Sequence, residues 1–130
     1  MLKKLKSWFR KDGEDELVHL PKERDVRFIL TVDDITVGYL QSKAGDWYFQ
    51  YTSQFQNHPD YNRITGFPEL TKVYKSEELW PFFRIRIPGL KQPVVQEILQ
   101  KEKIDEHDEV ELLKRFGKKT IANPYELVVA

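Results

Sequence analysis

Residues 26–52 alternate between apolar and polar side chains, which is the pattern of β-strands with one buried face. Turn-forming residues interrupt the alternation at 33–34 and at 42–46, so the pattern predicts two hairpins in succession and a three-stranded antiparallel meander. Gly38, in the second strand, predicts a bulge or a close backbone approach. The third strand carries three aromatic residues on one face, which we expect in the core: Trp47, Phe49 and Tyr51.

The densest hydrophobic stretch lies at 76–89, with the sequence SEELWPFFRIRIPG. Ser76 is a favourable N-cap, and Pro88 pushes the residue before it out of the α region, so we predict a short helix over 76–87. At about 3.6 residues per turn, positions 79, 82, 83 and 86 share the face expected to enter the core. Trp80 is rotated away from that face, toward the edge of the core or outside it.

Turn residues dominate 53–69, which is therefore predicted to be a loop that Ile64 and Phe67 attach to the core. The segment 70–74 is a candidate for a short edge strand. The apolar run at the end of the chain is a candidate for a last strand that closes the sheet.

Helical periodicity dominates between these two candidate strands, after Gly89. Pro93 suits the first position of a helix over 93–102, and a second helix is predicted over 106–116, with Asp105 as its N-cap and Gly117 as its C-cap. The predicted apolar stripe of the first helix has four members: Val94, Val95, Ile98 and Leu99.

Together these elements predict an α+β fold, in which a small antiparallel β-meander packs against two or three short C-terminal helices. This domain is expected to span 26–130, and 1–25 is expected to be a basic N-terminal extension and linker. Leu2, Leu5, Trp8 and Phe9 have the spacing of an amphipathic helix of about three turns. Five residues of this helix are candidates for anchoring the chain to an anionic surface: Lys3, Lys4, Lys6, Trp8 and Arg10. The alternatives are a helix folded back on the domain and a frayed terminus.

The composition narrows the function classes. The 130 residues include no cysteine, which excludes disulfides and thiolate metal sites, and 21 Lys and Arg balance 21 Asp and Glu. Balanced charge disfavours a general nucleic-acid binder. The chain has no apolar run of the roughly 18 residues that a membrane span needs, so we expect a soluble, cytoplasmic protein.

Residue types that carry catalysis are not grouped in this sequence. The three histidines, His19, His58 and His107, are isolated, and the sequence has no Gly-rich phosphate loop and no kinase catalytic-loop signature. The acidic pair Asp33-Asp34 is better explained as a turn. We therefore expect neither an enzyme nor a bound cofactor or metal.

Four features, in order along about 27–129, resemble the N-terminal subdomain of HipA-type toxin kinases. They are VGYL at 37–40 followed by FQY at 49–51, ITGFPEL at 64–70, YKSEELWPFFRIRIPG at 74–89 and IDEHDEVELLKRFG at 104–117. Two departures adjoin the position of the kinase domain in such toxins. The glutamate of the family's "LLPEG" is missing at 86–90, and the Asp and second Gly of "GRD-x-x-GA" are missing at 117–124.

The resemblance implies a free-standing version of the regulatory subdomain, because the sequence ends where such a toxin would continue into its kinase. A small protein of this kind (HipS) acts as the antitoxin in tripartite bacterial systems of the family. The implied partner is a HipA-like kinase without its own N-terminal subdomain, with or without a helix-turn-helix antitoxin. The residues selected for partner binding are Trp80, Pro81, Arg84, Pro88 and Gly89. The alternative for Trp80 is that it covers a sheet edge.

Two other functions remain open on the sequence. The first is a DNA-associated regulator that acts with a helix-turn-helix antitoxin, although no direct nucleic-acid contact is expected. The second is an accessory protein of the membrane surface that uses the basic N-terminal helix.

Deleting residues 1–12 should leave the domain folded, because no predicted strand of the sheet requires them. The expected result is a cooperative thermal transition of the truncated chain in circular dichroism. Loss of that transition would make the segment structural and would remove the anchor interpretation. A folded truncated chain that no longer binds anionic liposomes, when the intact chain does, would support the anchor.

Overall fold

The computed structural model describes residues 25–58 and 61–130. The predicted N-terminal helix and its candidate anchor residues lie outside the described residues, and the division at 25–26 stays a prediction. Five strands and four short helices form the α+β fold that was predicted, although one helix lies at Ser53–Gln56, within the segment predicted as a loop. In chain order these elements are β1 Val26–Val32, β2 Ile35–Lys43, β3 Asp46–Tyr51, α1 Ser53–Gln56, β4 Tyr74–Ser76, α2 Pro81–Arg84, α3 Pro93–Glu102, α4 Glu109–Phe116 and β5 Glu126–Val129.

The sheet has the strand order β4-β3-β2-β1-β5, and every neighbouring pair is antiparallel. The predicted meander forms its centre. The candidate strand at the end of the chain is present as β5. The candidate strand over 70–74 is wrong except for its last residue, because the edge strand β4 begins at Tyr74. Tyr74 pairs with Phe49, and Leu127 of β5 pairs with Leu30, so both edges extend the buried face of the meander.

Gly38 combines the two features predicted for it. Leu30 lies opposite Gly38 whereas Thr31 lies opposite Thr36, so one extra residue bulges from β2 at this point. A Cβ atom on Gly38 would lie 2.6 Å from the carbonyl oxygen of Gln50 and 2.7 Å from the Phe49 ring. Glycine is therefore required here, because no larger side chain fits between β2 and β3.

The helix predicted over 76–87 is wrong in its extent, because α2 spans only Pro81–Arg84. Proline disfavours the α conformation of the residue before it, and Trp80 is extended, with φ −65° and ψ 148°. The helix therefore begins at Pro81. Ser76 belongs to β4 instead, and its hydroxyl accepts a hydrogen bond from the Glu78 amide at 3.1 Å.

The helix predicted over 93–102 is confirmed as α3, but one member of its apolar stripe is wrongly placed. Val95 and Leu99 are buried, whereas Val94 is 67% exposed. Val94 follows Pro93 at the start of the helix, where it lies on the side away from the core.

Helix α4 begins three residues later than predicted, and its N-cap is Asp108 rather than Asp105. The Asp108 carboxylate accepts a hydrogen bond from the Glu111 amide at 3.2 Å, whereas the Asp105 carboxylate accepts one from the His107 amide within the preceding turn. Gly117 is the C-cap, as predicted, but with a negative φ of −84°. A Cβ there would lie 2.4 Å from the Leu113 carbonyl oxygen, so close approach explains this glycine.

The main core lies between one face of the sheet and the helices α1, α2 and α4, and it combines aliphatic side chains with a cluster of aromatic rings. Phe67, from the long loop between α1 and β4, packs against aromatic rings of both the sheet and the α2 region. Its ring centroid lies 4.6 Å from Phe49 and 5.0 Å from Tyr74, both in the sheet. On the helix side the distances are 5.2 Å to Trp80, 6.1 Å to Phe83 and 6.5 Å to Phe82.

Tyr51 attaches this loop to the sheet. Its hydroxyl donates to the Phe67 carbonyl oxygen at 2.7 Å and accepts from the Ile64 amide at 3.0 Å, so one side chain satisfies two buried backbone groups. Burial raises the pKa of Tyr51 from 10.0 to about 12. Because the folded state holds the proton more tightly, the contribution of Tyr51 to the free energy of unfolding is complete below pH 10 and is lost as the pH rises toward 12.

Replacing Phe83 by alanine should lower the free energy of unfolding by about 3–5 kcal/mol, because its fully buried ring fills space between Phe49 and Phe67. Denaturant titration measures the change. The matched control is Ile85→Ala, two residues further on, where the side chain is 51% exposed and the expected loss is below about 1 kcal/mol. Equal losses in the two variants would contradict this packing.

Candidate functional site

A groove of about 430 Å³ lies beside the C-terminal end of α2 and the connection between α3 and α4. Its lining residues are Arg84, Ile87, Pro88, Leu90, Glu106, His107, Glu109 and Leu112. Two of the five residues selected from the sequence for partner binding, Arg84 and Pro88, line this groove.

The apolar floor of the groove is supported by a small second core. Leu112 is buried with Val95 and Leu99 between α3 and α4, and Ile87 and Leu90 pack against that cluster. These contacts hold the turn after α2 in place, so the floor is preformed.

The two ends of the groove are joined by one side chain of α3. The Gln96 amide donates to the Leu90 carbonyl oxygen and, at 3.2 Å, to the Glu106 carboxylate. The segment after α2 and the segment before α4 are therefore held at a fixed separation by a residue outside the groove lining.

The rim of the groove carries opposite charges on its two sides. Arg84 lies on the α2 side, where its guanidinium donates to the Leu79 carbonyl oxygen. Glu106 and Glu109 lie on the α4 side, and the exposed His107 has its Nε2 atom 3.7 Å from the Glu106 carboxylate. An apolar floor inside a charged rim is the arrangement found in protein–protein interfaces.

The residues selected from the sequence for partner binding lie at both ends of α2. Gly89 is exposed next to Pro88, whereas Trp80 and Pro81 lie at the N-terminal end of the helix. Trp80 is half-buried, and the edge of its ring meets Phe67 at a centroid distance of 5.2 Å. It therefore sits at the margin of the core, with part of the indole exposed.

Arg86, which the sequence placed on the core face without a role, is buried, with 4% of its surface exposed. Its Nη2 atom donates to the Asn123 side-chain oxygen at 3.3 Å and to the Tyr125 carbonyl oxygen at 3.2 Å. Its Nε and Nη1 atoms have no hydrogen-bond partner within the described chain. An arginine on a face of otherwise apolar positions was the signal available in the sequence.

Burial lowers the pKa of the Arg86 guanidinium to about 10, so the group still carries its charge at neutral pH. The Phe82 ring, whose centroid lies 5.5 Å from the guanidinium carbon, gives partial compensation. A buried cation with two unsatisfied donors is costly to a domain. Arg86 is therefore expected to lower the stability of the domain at the junction of α2 with the C-terminal segment.

The described part of the chain contains neither a cluster of metal ligands nor a membrane-spanning helix. Residues 25–58 and 61–130 contain no group of three or more His, Asp or Glu side chains arranged to hold a metal ion. Among the helices described, none is long and apolar enough to cross a membrane.

Replacing Arg86 by methionine should leave the free energy of unfolding within about 1 kcal/mol of the original, or raise it. Methionine keeps the length of the side chain and removes the unpaired charge, and Asn123 retains the hydrogen bond that it accepts from the Tyr125 amide. Arg86→Ala is the comparison, and it should be less stable than the methionine variant because it leaves a cavity. A loss above about 2 kcal/mol in Arg86→Met would show that the fold needs the charge itself.

Comparison with known proteins supports the resemblance drawn from the sequence. A family model described as the HipA N-terminal domain matches residues 29–122 of the 130-residue chain. The match begins within β1, includes β2 to β4, all four helices and every residue of the groove, and ends before β5. The chain matches no curated protein. On the extent of the family match, this chain belongs to the HipA N-terminal domain family.

Proposed function

We propose that this domain is a non-catalytic binding module that docks on a HipA-like serine/threonine kinase without its own N-terminal subdomain, and that docking restrains the kinase. The observation that carries the proposal is the family match over 29–122. A domain shaped to pack against the remainder of a kinase can offer the same surface to a separate chain, because interfaces between domains resemble transient interfaces between proteins. A helix-turn-helix antitoxin is a further candidate member of the complex.

The groove beside α2 is the docking surface that we assign to this function. Its floor of Ile87, Pro88 and Leu90 is apolar, and Ile85, next to it in the chain, is 51% exposed. Apolar groups at the centre of an interface supply binding energy by leaving water, and the charged rim selects the partner and its orientation. A kinase surface with an apolar projection between a carboxylate and a cation would match this groove.

Trp80 is the anchor that we expect at the other end of α2. Phe67 and Phe83 hold one side of its indole, at centroid distances of 5.2 and 6.5 Å. A tryptophan fixed in this way loses little conformational freedom on binding, and rigid aromatic anchors are typical of interface hot spots. Pro81 fixes the backbone directly after it, at the first position of α2.

Replacing Trp80 by alanine should weaken kinase binding by about 2 kcal/mol, or about 30-fold in Kd, because the exposed part of the indole would lose its contacts with the partner. The measurement is isothermal titration calorimetry with the kinase lacking its N-terminal subdomain. Val94→Ala is the matched control, since Val94 is an apolar side chain that is 67% exposed on α3, and it should bind unchanged.

Stability measurements separate the role in binding from a role in folding. Trp80→Ala should destabilise the domain much less than Phe83→Ala. A Trp80 variant that binds the kinase as tightly as the original chain would remove Trp80 from the interface, and so would one that unfolds as readily as Phe83→Ala. The reading frame beside the gene is an independent check, because a truncated HipA-like kinase there would supply the partner.

A further inference from the structure

We propose that the face of the sheet that the described helices leave uncovered, called the open face below, is a second docking surface, which binds an acidic segment of a protein partner. The helices α1, α2 and α4 contribute to the main core on one face of the sheet. The other face carries Arg27, Lys43 and Lys75 together with Tyr39 and Tyr48. The inference goes beyond the function proposed above, because this surface lies across the sheet from the groove and does not require that the partner be a kinase.

A single row of side chains crosses four strands on this face. Arg27 of β1 pairs with Gln41 of β2, Gln41 pairs with Tyr48 of β3, and Tyr48 pairs with Lys75 of β4. Neighbouring strands lie about 4.8 Å apart, so the row is about 14 Å long from the first strand to the last. A cation therefore stands at each end, with a hydrogen-bonding side chain and an aromatic ring between them.

Aromatic rings contact two of the three cations of this face, Arg27 and Lys75. The Arg27 guanidinium carbon lies 3.9 Å from the centroid of the Tyr39 ring, and the Lys75 Nζ atom lies 5.9 Å from the centroid of the Tyr48 ring. An arginine that already rests on a ring keeps its donors available while losing little further freedom on binding.

A shallow depression of about 210 Å³ runs beside the row. Arg27, Lys43 and Gln50 are exposed at its margins, and Tyr39 and Tyr48 are half-buried within it. Val73, which is 56% exposed, adds an apolar contact. Tyrosine and arginine are the residue types enriched in protein interfaces, so the composition of the depression suits a protein partner.

The charge of this face selects the chemistry of its occupant. Arg27, Lys43 and Lys75 share this face with Asp46, whose carboxylate lies 3.7 Å from the Lys75 amine, and with Glu126 of β5, whose carboxylate lies 3.7 Å from the Lys119 amine. Both carboxylates already have a lysine partner, so the excess positive charge of this face lies with Arg27 and Lys43. Carboxylates presented by an extended segment would pair with the two ends of the row.

A protein segment fits this face better than a single-stranded nucleic acid. Bases bind to such sheets by stacking on free aromatic faces, whereas Arg27 already covers Tyr39 and Lys75 lies over Tyr48. Three cations are also few compared with the roughly 6–10 phosphate contacts of a typical nucleic-acid binder.

The test is a titration of the full chain, labelled with ¹⁵N, with a short oligoglutamate peptide, followed by amide chemical shifts. An oligothymidylate of the same total charge is titrated in parallel. The expected result is that oligoglutamate shifts the amides of Arg27, Tyr39, Gln41, Tyr48 and Lys75, and that added salt weakens the binding. If those amides do not respond to oligoglutamate, the proposal is wrong. A tighter response of the same amides to oligothymidylate would instead make the face a nucleic-acid surface.

Charge-neutral variants give the second measurement. Arg27→Gln combined with Lys75→Gln should weaken the binding of the peptide about fivefold or more, because two ion pairs are lost while the length of each side chain is retained. Lys91→Gln combined with Lys118→Gln removes the same charge from two exposed residues outside the sheet, and it should change the affinity less than twofold. Equal weakening in both double variants would reduce the effect to net charge and overturn the proposal.

Two other occupants would also be revealed by these samples. Concentration-dependent sedimentation that is lost in the Arg27 and Lys75 double variant would assign the face to a second copy of the chain. Neutralising Glu14, Asp15 and Glu16 in the full chain tests the chain's own acidic segment. If that change shifts the open-face amides before peptide is added, the face is occupied within the molecule and the proposal fails.

Discussion

The fold depends on the ring of Phe67, which lies between the sheet and α2 and packs against both. It contacts Phe49 and Tyr74 on the sheet side and Trp80, Phe82 and Phe83 around α2. Because α2 is only four residues long, its own backbone hydrogen bonds cannot fix its position, and aromatic packing does so instead. The hydroxyl of Tyr51 in β3 donates a hydrogen bond to the Phe67 carbonyl oxygen. Through Phe67, this strand therefore helps to position Trp80, the proposed anchor.

The proposed docking surfaces lie on two sides of this framework and differ in chemistry. The groove beside α2 has an apolar floor and a rim with Arg84 opposite Glu106 and Glu109, which suits a projecting apolar group. The open face of the sheet has a cationic row on a flat surface, which suits an extended acidic segment. A family domain with both surfaces could contact two regions of one partner, or one region in each of two partners.

The sequence was informative wherever a local rule determines the structure, and uninformative where distant residues meet. The alternation of apolar and polar residues predicted the meander, and a glycine within one predicted strand indicated the bulge and the close approach found at Gly38. The first residue of α2 could also have been predicted from the sequence. Proline disfavours the α conformation of the residue before it, and this rule, which was applied to Pro88, applies equally to Pro81 and Trp80. The sequence predicted that Phe67 attaches the loop to the core, but not that its ring contacts both the sheet and α2, because those partners are distant along the chain. Arg86 is bound by groups 37 and 39 residues away, and the row on the open face exists only once strand register is known.

The central claim is that this member of the HipA N-terminal domain family acts on a kinase by binding it. The most direct measurement is the rate of substrate phosphorylation by a HipA-like kinase without its N-terminal subdomain, as the full chain is added. The account predicts that the rate falls saturably and reaches its minimum near equimolar chain, with no phosphorylation by the chain alone. A rate that stays unchanged in the presence of excess folded chain would contradict it.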